Sequence, residues 1–243
     1  MGDFDMILWM IAATAAFFVK GLAGFANTLV FSTILSFSQA NAVISPTELL
    51  LSFPSGVVMV IEGRKHINWK ICGPLLLIVV LGSIPGILLL KNVDAHILKI
   101  VFGAVIVFMG VWNLIQEFGL IKRKFPKAVL TGIGFISGVM MGLFGIGALL
   151  SAYMSQVTDD TESFKANLNV VFVAENLLRI ILYAGVGILT WPIVKRGLLL
   201  IPFMTLGLML GMLLSDKLNE KIVKRIVMIT LIVSGIFVII NAL

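Results

Sequence analysis

From Ala128 to Thr158 the chain runs for 31 residues without one charged side chain. As a single helix this stretch would reach about 46 Å, against a bilayer hydrocarbon core of about 30 Å, while two full crossings would need about 40 residues. It is too long for one span and too short for two. A stretch much like it covers residues 6–37 and carries a single charge, Lys20. Glycines interrupt both near their middles, Gly21 and Gly24 in one and Gly142, Gly145 and Gly147 in the other. Each predicts a helix–break–helix element that enters a membrane and turns back.

Composition agrees with a membrane. Apolar residues make up 60% of the chain and charged residues 12%, where a soluble domain has about 45–50% and about 25%. Six further apolar segments, at 42–61, 71–90, 97–115, 168–190, 197–214 and 222–243, are close to the ~20 residues of a spanning helix. The expected fold is an all-α polytopic bundle. The acidic start, Met1 to Asp5, lacks the basic region of a signal peptide, so the first apolar segment reads as mature structure. The net charge of +6 comes from short basic runs such as Lys122-Arg123-Lys124, which suit the membrane surface and not nucleic acid. Cys72 is the single cysteine, so neither an intrachain disulfide nor a cysteine metal site is expected. His66 and His96 read as solvated loop residues. Trp9, Trp69, Trp112 and Trp191 fall near segment ends, where interface anchoring is the ordinary role.

The chain also repeats itself. Gly21-Leu22-Ala23-Gly24 matches Gly142-Leu143-Phe144-Gly145 at an offset of 121, and Ile67-Asn68-Trp69 matches Leu189-Thr190-Trp191 at 122. Gly82 and Gly86 match Gly207 and Gly211 at 125, and Gly110 falls on Gly235. This predicts two units, 1–121 and 122–243, each a broken segment followed by three spanning helices. Ser45-Pro46-Thr47-Glu48 reads as a capping box opening the second segment, with Glu48 as its cap in preference to a proton carrier. Asp94 and Asn219 read as N-caps of the fourth and eighth segments, and Thr158 to Glu162 as a polar turn.

If both broken segments re-enter, the second unit is inverted. Loop Lys and Arg then divide twelve to four: Arg64, Lys65, Lys70, Lys122, Arg123, Lys124, Lys127, Lys165, Lys217, Lys221, Lys224 and Arg225 against Lys91, Lys99, Lys195 and Arg196. That is a positive-inside pattern, and it places both termini outside. Inverted repeats with glycine-broken segments at matching positions point to a secondary transporter with its site near the midplane.

A broken helix leaves N–H groups at depth that protein, water or solute must satisfy, and a half-helix N-terminus favours an anion. The candidate substrate-binding residues therefore surround the breaks: Lys20, Gly21, Gly24, Asn27 and Thr28 in the first unit, and Gly142, Gly145, Gly147 and Ser151 in the second. Small residues also serve simple helix packing. Ser52 belongs to Ser52-Phe53-Pro54-Ser55-Gly56, whose proline frees a carbonyl. Asn169, Asn176 and Arg179 are polar for a spanning helix, and Glu175 stands at i, i+4 to Arg179, as a structural pair would. Lys20 could instead snorkel. No metal constellation, nucleophile–base pair or Walker A lysine is present, so neither a metal, a cofactor nor an enzyme is expected.

The pattern resembles the TauE/SafE sulfite exporter family, also called the 4-toluene sulfonate uptake permeases, in length and in tandem duplication. The family's glycine-rich signature appears as Lys20-Gly21-Leu22-Ala23-Gly24-Phe25-Ala26-Asn27 and as Gly142-Leu143-Phe144-Gly145-Ile146-Gly147-Ala148. Its run of glycines is thinned here by Ala23, Phe25, Phe144 and Ile146. The resemblance implies transport of a small sulfur-containing or organic anion such as sulfite, a sulfonate or sulfoacetate, in a multi-pass cytoplasmic membrane protein. An anion or solute channel, and a carrier of another small organic acid, are the alternative readings. A coupling proton or sodium ion and self-association stay open.

Overall fold

A computed structural model describes residues 3–36, 38–92, 95–117 and 125–215, with a few positions between 229 and 240. Among the described residues nine α-helices follow in order: α1 (Asp3–Ala23), α2 (Asn27–Leu35), α3 (Asn41–Glu62), α4 (Trp69–Asn92), α5 (Ala95–Glu117), α6 (Lys127–Phe144), α7 (Ala148–Val157), α8 (Thr161–Gly185) and α9 (Trp191–Leu214). Among the described residues six helices, α1, α3, α4, α6, α8 and α9, are long and apolar enough to cross a membrane. Most of the segment expected at 222–243, together with Asn219 and Asp94, lies outside the described residues.

Both long apolar stretches break where expected, but into unequal arms. The first arms, α1 and α6, have 21 and 18 residues, whereas the second arms, α2 and α7, have 9 and 10. The breaks therefore lie near the far ends of α1 and α6 and not at the stretch midpoints. In the first break the chain turns back on itself. Trp9 of α1 meets Phe31 of α2 edge-on with ring centres 5.6 Å apart, whereas an unbroken helix would hold them about 33 Å apart at about 1.5 Å per residue. Gly24 has φ +85° and Ala26 φ +72°, a left-handed backbone that costs a residue with a Cβ about 1–2 kcal/mol. The second break has Gly145 at φ +74°.

Helix directions follow from which ends meet. Gly21, Met59, Glu62, Gly63, Glu162, Lys165, Ala166, Met212 and Ser215 line one cavity, so α1, α3 and α9 end where α8 begins. Asn167 of α8 accepts from the Asn68 backbone N–H at 2.6 Å and donates to the His66 carbonyl, which brings the start of α4 to the same end. Asp160 caps α8 by accepting from the Ser163 N–H at 2.7 Å, within the expected polar turn.

Helices α1 and α9 pack closely, as do α4 and α6, and glycine makes both seams. A Cβ on Gly211 would meet the Phe18 carbonyl and the Gly21 Cα, and one on Gly86 would meet the Val139 carbonyl and the Gly142 Cα. A Cβ on Gly207 would strike Thr14 and Phe18 backbone, and one on Gly82 Phe135 and Val139 backbone. Only hydrogen at these positions lets the helices approach so closely.

Several expectations need correction. Helix α3 begins at Asn41 after an extended Ala40, so Ser45 to Glu48 lie a turn inside it and form no capping box. Free N–H groups exist only in a helix's first turn; Ser45 and Glu48 turn to neighbouring helices instead, while the Thr47 hydroxyl donates to the Val43 carbonyl of its own helix. Trp9 is no interface anchor: it is fully buried against Phe31, with the Arg196 guanidinium 4.7 Å from its ring centre. Trp69 and Trp191 do stand exposed at the starts of α4 and α9, where anchoring suits them. Trp112 is half-buried and stacks on Phe108 and Phe125. His66 is exposed in a short 3-10 turn, Arg64–His66, while His96 falls within α5 and not in a loop.

Candidate functional site

The start of α2, the middle of α3, the break between α6 and α7 and the centre of α8 converge in the core. Ser52 of α3 joins them. Its hydroxyl oxygen accepts from the Asn27 amide at 3.1 Å and from the Asn176 amide at 3.3 Å. Its carbonyl accepts from Lys20 Nζ at 3.2 Å and from the Ser55 hydroxyl at 2.9 Å. Lys20 Nζ also donates to Ser55 Oγ at 2.9 Å. Lys20 is thus fully buried and does not snorkel; its stem carries the amine inward to α3. The Asn27 amide donates its second hydrogen to Glu48, so Glu48 is a partner in this network and caps nothing.

Arg179 sits on the far side of the same centre, fully buried. Its Nη2 donates to Ser45 Oγ at 2.9 Å and lies 3.3 Å from the Tyr183 hydroxyl, which donates to the Gly142 carbonyl at 3.2 Å. The guanidinium carbon is 5.2 Å from the Tyr183 ring centre. A Cβ on Gly145 would stand 3.0 and 3.1 Å from the two terminal nitrogens and 3.3 Å from the Thr28 methyl. The left-handed glycine thereby opens the break to Arg179. Glu175, one turn earlier on α8, is 3.8 Å from Arg179 Nε. Neither carboxylate oxygen of Glu175 nor the Nε has a hydrogen-bond partner among the described residues.

Between these groups lies a cavity of about 20 Å³ lined by Ala26, Asn27, Thr28, Leu29, Ser52, Met141, Gly145, Gly147, Phe172 and Asn176. It has room for a water molecule or so. Its polar wall consists of two amides, two hydroxyls and the first residues of α2, whose N–H groups carry the positive end of that helix. These groups can bind a small, oxygen-rich solute.

Of the residues singled out in the sequence, Asn27, Thr28, Ser52, Gly145, Gly147 and Asn176 line this cavity, while Arg179 and Lys20 stand directly behind its wall. Gly21 and Gly142 belong elsewhere, to the α1–α9 and α4–α6 seams. Gly24 lies toward the other cavity: its carbonyl accepts from the Asn169 amide at 3.0 Å and its Cα faces the Lys165 stem. Asn169 therefore holds the first break and does not reach the cavity. Ser151 is buried on α7, one turn past Gly147, and is not among the lining residues. Sequence reasoning missed Ser45, Tyr183 and Phe172. Tyr183 carried a signal, standing i+4 from Arg179; Phe172 carried none.

The family model for the sulfite exporter TauE/SafE matches residues 9–238. No curated protein and no solved structure matches the chain.

Proposed function

Because the chain belongs to the sulfite exporter TauE/SafE family, we propose that it is a secondary transporter that moves a small sulfur oxyanion or organosulfonate, such as sulfite or sulfoacetate, across the cytoplasmic membrane by alternating access. The observation that carries this reading is the meeting of the α2 start and the Gly145 break around one polar cavity, with Arg179 behind it. The cavity is too small for an anion with several oxygens, so loading requires its walls to part. We also read residues 1–121 and 122–243 as inverted repeats. The two glycine seams support this, since Gly21 with Gly211 and Gly142 with Gly86 make the same contact one offset apart. The shared end of α1, α3, α9 and the start of α8 supports it too, and the basic loops then mark the cytoplasmic face.

Exchange of labelled anion in proteoliposomes tests the reading. Sulfite, sulfoacetate, other sulfonates and simple carboxylates form the panel. The expected result is saturable exchange of at least one sulfur anion; none across the panel would sink the proposal.

A further inference from the structure

Among the described residues four charged side chains are buried at the centre of the fold: Lys20, Glu48, Glu175 and Arg179, each at most 1% exposed. Their formal charges cancel. Glu48 lies within electrostatic reach of both cations, and Glu175 within reach of Arg179 and Glu48. Among the described residues the other elements packed on α8 bring no further charge to that level: α7 has no charged residue, the lysines of α4 stand at its ends, and the Arg64–His66 turn sits by Asn167, eight residues along α8. A solute anion entering this neutral quartet would leave one negative charge uncompensated in a low-dielectric core, an arrangement proteins avoid.

We propose that the solute anion binds together with a proton, and that the proton lands on the Glu175 carboxylate. This rests on the transport reading above and adds its coupling ion. Lys20 and Arg179 carry only donors. Glu48 already accepts from Asn27 and has the Thr28 and Ser52 hydroxyls in reach. Both oxygens of Glu175 are buried and accept nothing from the described residues, so of the four groups Glu175 has the room for a proton. The proton comes from water on the side where the anion enters, turns the carboxylate into a carboxylic acid, and leaves with the anion on the other side. While bound it cancels the charge facing Arg179 Nε at 3.8 Å. The guanidinium, which lines up behind Gly145, then has its attraction available for the anion.

The test uses the purified full chain in liposomes with the membrane potential clamped to zero, and labelled methanesulfonate and sulfoacetate as probes, because their charge is fixed across neutral pH. Equilibrium exchange is measured first; if no probe exchanges, the transport reading fails and this inference with it. Where exchange occurs, a pH gradient alone should accumulate methanesulfonate toward its acidic-to-alkaline limit of about tenfold per pH unit. No accumulation under the pH gradient, with accumulation appearing only when the clamp is replaced by an imposed potential, overturns the proposal while leaving the transporter intact. In Glu175→Gln the pH gradient should no longer drive accumulation, and persistence of that drive would also overturn it. Should this variant fail to fold, the wild-type gradient measurement decides alone.

Discussion

Arg179 Nε stands 3.8 Å from Glu175 Oε1, one helical turn away on α8, and no hydrogen bond closes the gap. The rest of the guanidinium is held by Ser45 and Tyr183. Arg179 is thus fixed at one edge and loose at the other, with the loose edge toward the carboxylate.

Removing Arg179 should therefore hurt stability as well as flux. Arg179→Ala leaves Glu175 buried without its counter-charge and should cost about 3–5 kcal/mol. Adding Glu175→Gln should recover most of that loss in thermal melts without restoring anion exchange. Full recovery of exchange in the double variant would show that Arg179 serves the fold alone.

Gly145→Ala should cost about 1–2 kcal/mol for the left-handed backbone and press the Arg179 nitrogens, which lie 3.0 and 3.1 Å from the new Cβ. Anion exchange should drop sharply. Gly73→Ala is the contrasting case: nothing lies within 4 Å of that Cβ, and a helical glycine, here in the second turn of α4, replaced by alanine should gain about 0.5–1 kcal/mol. Melting and exchange measured together on both variants separate strain from function; wild-type exchange by Gly145→Ala would move the site away from the break.

Single cysteines at Ser38, just before α3, and Asp159, just before its counterpart α8, both exposed, should label from opposite faces of the membrane in a Cys72→Ser background. Cys72 itself is buried, its thiol against Asn167, so its replacement by serine keeps a donor there. Labelling of both positions by an impermeant reagent from one face would refute the inverted arrangement.

The Ser163 N–H bond holds the Asp160 carboxyl below its ordinary range. A depressed carboxyl stabilises the fold above its unfolded-state pKa, and that contribution fades as pH falls through the folded value. Acid should therefore loosen the start of α8 in wild type. Asp160→Asn, which keeps the accepting oxygen, should flatten the acid limb of a melting-temperature profile; an unchanged limb would place the acid sensitivity elsewhere.

The breaks were legible because two signals coincide at each, a length that fits no whole number of spans and glycines in the middle. Which glycine does what was not legible. Gly24 and Gly145 adopt positive φ, whereas Gly21 and Gly142, three residues earlier, lie against partner backbones. A missing side chain reads the same in both roles. Ser45 to Glu48 misled because the capping pattern is local and α3 starts four residues sooner. Trp9 misled for a related reason: a tryptophan near a segment end looks alike whether lipid or Phe31 and Arg196 cover it. The polar residues of α8 stood out as costly in an apolar helix, but that Ser52 would gather Asn27, Asn176 and Lys20 depended on contacts 25 to 124 residues apart.

The glycine seams also decide how the molecule can be divided. A cut between α5 and α6 gives one piece with α1 but no α9, and another with α6 but no α4. Each piece exposes a notched helix shaped for a ridge the other carries. Two such polypeptides made in one cell would assemble only by clasping each other, and either made alone would face the lipid with a groove meant for protein.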